Sequence, residues 1–339
     1  MLKWLLPDTD RTRPSQSPSS IDDPNNDIYD ILHVQKPDGS PFPIWKRLSW
    51  KWHSRLLPLL HFGQGEACPP DVFVNLRVLW NKALTSLDPN STANEAADHY
   101  PTFHMLPRIS RWFLFRSIIP LWMYPRWMHA NIELRTVYLN QAMEKEIQQI
   151  LQTGEASSLE IVVFGAGYDT RSIRTLWRYP QVTRSWELDL ESVIRSKQKL
   201  VQRLFLQLPQ LSWISDSLRF LGVDLNDLEQ VELALENIAQ ERGTMGVHTI
   251  VVTEAVLMYL ENDKPAKILQ LCKEKLGPNV SWLLVDRLKE IPDATSDDDD
   301  DMSSSRQAAT TYLASLGWQV VDWMIKPGAT RHMGLVRPL

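Results

Sequence analysis

One stretch of the chain, residues 159–171, constrains the fold more than any other. It reads LEIVVFGAGYDTR, and its apolar, largely β-branched run from Ile161 to Phe164 predicts a buried strand. The run ends at Gly165-Ala-Gly167, and the following residues predict a helix that Thr170 caps. Glycine permits a sharp turn and lets a ligand lie where a Cβ would otherwise stand. A strand, a glycine turn and a helix in this order are typical of the nucleotide-binding corner of an α/β sheet.

The glycine turn lacks the last small residue of the dinucleotide fingerprint. Gly165 and Gly167 are followed by Thr170 where that fingerprint has Gly or Ala. This departure disfavours a nicotinamide or flavin cofactor, and we find no obvious Tyr-x-x-x-Lys pair of an oxidoreductase. It favours a nucleoside cofactor without a pyrophosphate, of which S-adenosylmethionine is the commonest. A tight strand–helix connection without a ligand remains the alternative.

Composition excludes several other classes of protein. The 339 residues are 43% hydrophobic and 23% charged, which is typical of a globular protein with a sizeable core. The net charge of −5 disfavours a nucleic-acid partner. Cys68 and Cys272 lie far apart, without metal or redox spacing, so we expect no metal site and a reducing compartment. We find no signal peptide or membrane-spanning run, and therefore predict a cytoplasmic protein.

The pattern of the chain changes along its length. We predict a disordered or irregular leader over residues 1–43, a helical, Trp-rich cap or lid over 44–130, and a sheet domain over 131–339. Within the cap, residues 70–87 predict a helix. In the sheet domain, a helix over 131–152 precedes strands that alternate with helices, which predicts a mainly parallel α/β sheet. The predicted strands are 159–164, 182–188, 218–224, 247–254, 280–286, 317–324 and 331–337; the predicted helices between them are 190–206, 226–241, 263–275 and 306–316. No helix separates the last two strands, so we expect a closing antiparallel hairpin, and we interpret Asp297 to Asp301 as a solvated loop.

Acidic residues follow three of these strands. They are Asp189, Asp224 and Glu254, and in an open α/β sheet such residues lie where a ligand binds. The first suits ribose hydroxyls, the second an adenine amino group and the third a cationic amine. Each alone is also typical of a helix cap. Arg135 and Arg171 supply planar guanidinium groups that suit a methionine carboxylate; a surface ion pair of Arg135 with Glu133 is the alternative.

Four motifs in this order resemble the leucine carboxyl methyltransferase family. They are Gly165-Ala-Gly-Tyr-Asp-Thr-Arg171, Glu187-Leu-Asp189, Val223-Asp-Leu225 and Glu254-Ala-Val-Leu-Met-Tyr-Leu260, with Arg135-Thr-Val-Tyr138 similar to the family's segment before the first strand. The resemblance implies an S-adenosylmethionine-dependent methyltransferase with a seven-stranded Rossmann-like class I sheet and an N-terminal helical lid. It implies that the cofactor contacts Arg135, Gly165, Asp189, Asp224, Leu225 and Glu254, to which local physics adds Gly167 and Arg171. The motifs resemble the branch of the family that acts on small molecules more than the branch that methylates a phosphatase. Asn140, where an acid is common, and Leu190-Glu191, where a proline is expected, depart from the family.

The methyl acceptor follows from chemistry rather than from a motif. We expect a carboxylate, on a small molecule or a protein C-terminus, because it needs no general base and we find no other catalytic set. Tyr259 is a candidate for orienting the acceptor, or a pocket wall. A phenol or hydroxyl acceptor would need a base, such as His104 or His129. Two alternatives remain: a non-catalytic protein that binds a partner through its Trp-rich half, and contact of residues 111–128 with a membrane surface.

Overall fold

The computed structural model describes residues 70–87, 102, 104–108, 111, 126–154, 156–242, 246–261, 263–292, 299–324 and 332–339. In these residues the α-helices are α1 (Pro70–Leu87), α2 (Arg126–Thr153), α3 (Arg171–Arg178), α4 (Glu191–Gln207), α5 (Leu228–Arg242), α6 (Lys264–Leu276) and α7 (Asp299–Ser315). The strands are β1 (Ser158–Phe164), β2 (Val182–Asp189), β3 (Leu218–Gly222), β4 (Val247–Glu254), β5 (Val280–Asp286), β6 (Trp318–Met324) and β7 (His332–Pro338). Short 3-10 helices cover Pro209–Asp216 and Leu257–Tyr259.

The strands form one sheet with seven strands in the order β3-β2-β1-β4-β5-β7-β6. The first five are parallel to their neighbours, whereas β7 runs antiparallel to both β5 and β6. The predicted seven-stranded sheet and its closing antiparallel hairpin are therefore confirmed. The order reverses between β1 and β4, and a ligand in an open α/β sheet binds at such a switch point, beyond the carboxyl ends of the strands.

Burial along the strands follows their place in the sheet. All seven residues of β5 are buried, as are all but the last of β4, because helices cover both faces of the sheet's centre. The edge strands β3 and β6 mix buried, half-buried and exposed positions. This explains why the central strands read as continuous apolar runs in the sequence.

Two hydrophobic clusters lie on opposite faces of the sheet. One joins alternate residues of the central strands, such as Ile161 and Val163 of β1, to α1, α2, α3 and α4. The other joins the intervening residues, such as Val162 and Phe164, to α5, α6 and α7. The alternation follows from the two-residue period of a strand. Helix α1, which the sequence predicts over 70–87, thus belongs to the same core as the sheet.

Two local expectations are wrong. The acidic run is not wholly a loop, because α7 begins at Asp299 and includes Asp301. Thr170 occupies the N-cap position of α3 as expected, but its side chain makes no capping hydrogen bond. Its hydroxyl lies 3.0 Å from that of Thr102, and the Asp169 carboxylate accepts a 2.7 Å hydrogen bond from the Arg171 N–H instead.

Several expectations lie outside the described residues. They concern the leader at 1–43, most of the Trp-rich region at 44–130, the side chain of His129, and Cys68. The predicted domain limits therefore stay predictions. Cys272 is buried, and burial raises the pKa of its thiol. Within the described ranges, no helix combines the length and apolar character that crossing a bilayer would require.

Candidate functional site

The carboxyl ends of the parallel strands bring the predicted acids to one edge of the sheet. Asp224 follows β3, Asp189 ends β2, the glycine turn follows β1, and Glu254 ends β4. They stand in this order because the strand order is β3-β2-β1-β4. With neighbouring strands about 4.8 Å apart, the row spans about 14 Å. The predicted adenine, ribose and amino-acid positions are therefore arranged in the order of an extended nucleoside.

Both glycines of the turn have backbone conformations that favour glycine. Gly165 has φ 60° and Gly167 has φ 43°, in the left-handed region that side chains with a Cβ rarely adopt. Protein atoms also approach them closely. A Cβ on Gly165 would lie 2.4 Å from Val256 Cγ2, and one on Gly167 would lie 2.3 Å from Asn75 Oδ1. The turn is thus packed between α1 and the loop that follows β4.

Asp189 stabilises the glycine turn directly. Its Oδ2 accepts a 2.7 Å hydrogen bond from the Gly167 N–H, and its Oδ1 accepts a 2.8 Å bond from the N–H of Leu190. The side chain is only half-buried. A carboxylate oxygen can accept more than one hydrogen bond, so these bonds to the backbone are compatible with a ligand contact.

A largely buried ionic cluster occupies the space beside the turn, and we call it the β4 cluster. It consists of the acids Asp169 and Glu254 and the cations Lys82, Arg135 and Arg171, which leaves a net charge of +1. Arg171 pairs with both acids and lies 2.5 Å from Glu254 Oε2, and Arg135 Nε lies 3.4 Å from Glu254 Oε1. The sequence analysis predicts both arginines at the site, and in the structure both pair with Glu254. Arg135 pairs with Glu254, and Glu133, the partner of the alternative surface ion pair, is itself buried.

The cations of the β4 cluster determine the ionisation of its acids. Burial opposes ionisation of Glu254, but Arg171, Lys82 and Arg135 outweigh it and lower the pKa of the carboxyl to about 2. Burial also opposes ionisation of Asp169, and there Arg171 and Lys82 lower the pKa. In turn, the two carboxylates outweigh the burial of Arg171 and raise the pKa of its guanidinium group. Both acids are therefore charged at neutral pH.

Helix α1 contributes two residues that the sequence reasoning missed. Lys82 Nζ donates to Asp169 Oδ2 at 2.8 Å and to Glu254 Oε2 at 3.0 Å. Asn75 lies against Gly167. The two are seven residues apart, so they share a helix face with the buried Leu79. Polar residues that interrupt the apolar face of a helix at this spacing are the sequence signal for a contact between that face and a polar site.

The segment of the chain that forms most of this edge matches a known protein family. Residues 116–273 match the family described as leucine carboxyl methyltransferase. This match covers slightly less than half of the chain. The chain is an S-adenosylmethionine-dependent methyltransferase. Neither this match nor the described residues support the alternative of a non-catalytic partner-binding protein. No curated protein matches the chain significantly.

Solved structures that resemble this chain are only distantly similar to it. LepI in complex with S-adenosylmethionine has 13% identity and a TM-score of 0.40, with coverage of 93% of this chain and 76% of LepI. A putative methyltransferase from Thermobifida fusca has 11% identity and a TM-score of 0.40, with coverage of 77% and 94%. An O-methyltransferase family protein from Burkholderia thailandensis has 12% identity and a TM-score of 0.34, with coverage of 84% and 91%. At such low scores, nothing about this chain follows from them.

The described residues of the methyltransferase domain fit its cofactor. Glu254 Oε1 is buried and lies 3.4 Å from Arg135 Nε, but it accepts no hydrogen bond within the described part of the chain, so it can accept one from an ammonium group. The cations of the β4 cluster exceed its acids, which suits a carboxylate. S-Adenosylmethionine carries both groups on its methionine end. The chemistry of the β4 cluster therefore agrees with the family.

The remaining predicted residues of the domain lie at the rim of this edge. Asp224 is exposed, and its Oδ1 accepts a 2.9 Å hydrogen bond from the Asn226 N–H. The Leu225 side chain is only 5% exposed and packs in the core between the sheet and α5. Tyr259 ends the 3-10 helix after β4 and is 38% exposed. In the part of the chain that the structure describes, we find no hydrogen bond or ion pair between these three residues and the β4 cluster.

Proposed function

We propose that the protein is an O-methyltransferase that transfers the methyl group of S-adenosylmethionine to a carboxylate, on a small molecule or a protein C-terminus. The observation that carries the proposal is the β4 cluster. Its acids are Asp169 and Glu254, and both have lowered pKa values. Such carboxylates are weak bases at neutral pH, and a carboxylate acceptor needs no base.

The proposed contacts with the methionine end of the cofactor involve four side chains. Glu254 accepts hydrogen bonds from the ammonium group, for which its Oε1 has free capacity. Arg135, Arg171 and Lys82 are the candidates for the carboxylate, because they give the cluster its excess positive charge. In this role α1 and α2 each supply a cation to a site built on the sheet.

The proposed contacts with the nucleoside follow the row of strands. Asp189, which also accepts hydrogen bonds from the N–H groups of Gly167 and Leu190, accepts from the ribose hydroxyls. Asp224 accepts from the adenine amino group. Leu225 is buried in the core, so a contact from this residue would come through its backbone. Gly165 and Gly167 bring the backbone of the turn close to the cofactor.

The proposed chemistry is an in-line displacement. S-Adenosylmethionine supplies an electrophilic methyl group on a sulfonium. An acceptor oxygen forms the new carbon–oxygen bond as the carbon–sulfur bond breaks, and no proton transfer is required when the acceptor is a carboxylate. The protein's part is to hold the two molecules in line and to exclude water, which lowers the barrier by several kcal/mol. Tyr259 stands at the rim, where its phenol is a candidate for orienting the acceptor, and the Trp-rich cap is the candidate for closing the site.

Titration of the purified protein with S-adenosylmethionine by calorimetry tests the cofactor contacts. We expect low-micromolar binding by the wild type. Asp189→Ala, Arg135→Ala and Lys82→Met should each weaken it by about 10- to 100-fold, because a hydrogen bond to a charged group contributes about 1.5–3 kcal/mol. Arg178→Ala is the matched control, since the Arg178 side chain on α3 is 57% exposed and pairs with Glu144 away from the cluster. Binding that survives all three site variants would contradict the proposed contacts.

The acceptor is tested separately, with the wild-type enzyme and radiolabelled cofactor. The enzyme is incubated with a panel of small carboxylic acids and peptides with free C-termini. We expect methylated products that a mild alkaline treatment hydrolyses, as esters do. A matched panel of phenols and alcohols tests the competing acceptor class, for which His104 is the described candidate base. Methylation of phenols alone would overturn the carboxylate proposal and leave the cofactor contacts intact.

A further inference from the structure

A buried carboxylate outside the β4 cluster holds the loop that follows β4. Asp286, the last residue of β5, is fully buried. Its Oδ2 accepts hydrogen bonds from the backbone N–H groups of Val256 and Leu257, both at 2.8 Å. Its Oδ1 accepts from the N–H groups of Met258 and Arg287, both at 3.0 Å. Three successive N–H groups of one loop therefore converge on a single carboxylate.

The loop needs such an anchor because its first residue is held in an unfavourable conformation. Ala255 has φ 55° and is the one described residue other than glycine with a positive φ. For a residue with a Cβ this conformation costs about 1–2 kcal/mol. The Ala255 N–H still bonds to the Val285 carbonyl at 2.8 Å, so the strand ladder runs up to the point where the loop turns. Directly after this turn, the chain meets Asp286.

The position of the loop affects both sides of the candidate cofactor site. Glu254 immediately precedes Ala255 and ends β4. Val256 follows it, and its methyl groups fill the space where a Gly165 side chain would begin, 2.4 Å from that Cβ position. A shift of the loop would therefore move an acid of the β4 cluster and remove the support of the glycine turn at the same time.

We infer that Asp286 is a positioning residue, which fixes Glu254 and Val256 at the cofactor site by holding the N–H groups of residues 256–258. The inference rests on the proposed cofactor contact of Glu254. Asp286 itself acts through the backbone and not through the ligand. A carboxylate suits this role because both of its oxygens only accept, whereas an asparagine would turn an NH₂ group toward at least one of the N–H donors.

The test compares Asp286→Asn with Glu146→Gln. Glu146 is also nearly fully buried, and it accepts hydrogen bonds from Ser281 and Arg337 at the opposite end of β5. Both substitutions replace a buried carboxylate by an amide, so both should lower Tm. Only one of them touches the loop. The readouts are amide hydrogen exchange of residues 254–260 without ligand, and calorimetric affinity for S-adenosylmethionine.

In Asp286→Asn, we expect exchange of residues 256–258 to accelerate by about tenfold or more, and affinity for the cofactor to fall by about tenfold or more. Glu146→Gln should leave both at the wild-type level. Unchanged exchange and affinity in Asp286→Asn, with binding by the wild type, would overturn the inference alone. Absence of binding by the wild type would overturn the proposed cofactor site, and the inference with it.

Val256→Ala gives a second measurement if Asp286→Asn does not fold. It removes the methyl groups that support Gly165 and leaves all N–H groups of the loop in place. We expect exchange of residues 256–258 to stay near the wild-type rate, and cofactor affinity to fall by about three- to tenfold through the loosened turn. An unchanged affinity in this variant would show that the loop does not set the position of the turn.

Discussion

At the scale of single residues, burial and charge act against each other in the β4 cluster. Glu254 is removed from water, which alone would favour its neutral form, yet Arg171, Lys82 and Arg135 keep it ionised. A buried acid surrounded by cations binds a further cationic group only if it keeps an oxygen available. Glu254 does so, because its Oε1, although ion-paired with Arg135, accepts no hydrogen bond within the described residues.

The lowered pKa of Glu254 predicts how stability depends on pH. Its folded pKa of about 2 lies below the ordinary value of 4.5. The stability that ionised Glu254 contributes is therefore fully present above pH 4.5 and is lost as the pH falls through about 2. We expect Glu254→Gln to be less stable than the wild type at neutral pH and to lose less stability between pH 5 and 2. Urea unfolding across this range measures the difference.

The control for this pH dependence is Glu241→Gln, since the Glu241 side chain is 51% exposed. It should follow the wild type at every pH, because exposed ion pairs contribute about 0–1 kcal/mol. Parallel pH profiles of the wild type and Glu254→Gln would contradict the lowered pKa of Glu254.

At the scale of elements, the glycine turn is defined by its neighbours as much as by its own sequence. Gly165 and Gly167 share the left-handed conformation with Gly154, at the end of α2. The difference lies in the surroundings, since a Cβ on Gly154 would meet no atom within 4 Å. Comparison of the two sites separates the cost of conformation from the cost of crowding.

We therefore expect Gly165→Ala to destabilise the protein more than Gly154→Ala does. Each places a Cβ in the left-handed region, which costs about 1–2 kcal/mol. Gly165→Ala adds a clash with Val256, and overpacking of a well-packed site costs about 1–3 kcal/mol more. The free energies of unfolding in urea give both values, and equal losses would show that Val256 moves aside.

Helix α4 is joined to the sheet by a buried ion pair. Lys197 of α4 lies 2.7 Å from Glu187 of β2, and both side chains are at most 1% exposed. Lys197 Nζ also donates to the Ala166 carbonyl in the glycine turn at 3.3 Å. Burial raises the pKa of Glu187 and Lys197 opposes that effect. The second acid of the Glu187-Leu-Asp189 motif thus supports the turn from behind, while Asp189 faces the candidate site.

At the scale of the whole molecule, the candidate site joins parts of the chain that are far apart in sequence. Lys82 and Glu254 are separated by 172 residues, and Arg135 comes from a third segment. A ligand that binds between these segments stabilises the folded state relative to the unfolded chain, which has no such site.

We expect S-adenosylmethionine to raise the Tm accordingly. At a free concentration of about 100 times its Kd, a ligand adds about 2.7 kcal/mol to the stability. In a protein of this size that corresponds to a rise of several degrees. Differential scanning fluorimetry at a fixed cofactor concentration should show the rise in the wild type and in Arg178→Ala, and a smaller one in Lys82→Met. The same rise in all three proteins would place binding away from Lys82.

The sequence by itself determined the order of the elements and the acids at the edge of the sheet. Apolar runs predict buried strands, alternation with helices predicts a parallel sheet, and parallel strands bring Asp189, Asp224 and Glu254 to one edge. These are local patterns or direct consequences of them. The family resemblance could be stated for the same reason, since its motifs lie at those strand ends.

Only the tertiary structure decided which distant residues complete the site. Lys82 and Asn75 reach it because α1 packs across the glycine turn, and no local pattern specifies where a helix docks. Asp286 looked like the end of a strand, and its four backbone donors became visible only when the loop after β4 was placed beside β5. Thr170 was expected to cap α3, but its hydroxyl lies 3.0 Å from that of Thr102, which is 68 residues away in the sequence. Periodicity and turn chemistry act over a few residues, whereas these contacts depend on the packing of segments that are up to 172 residues apart.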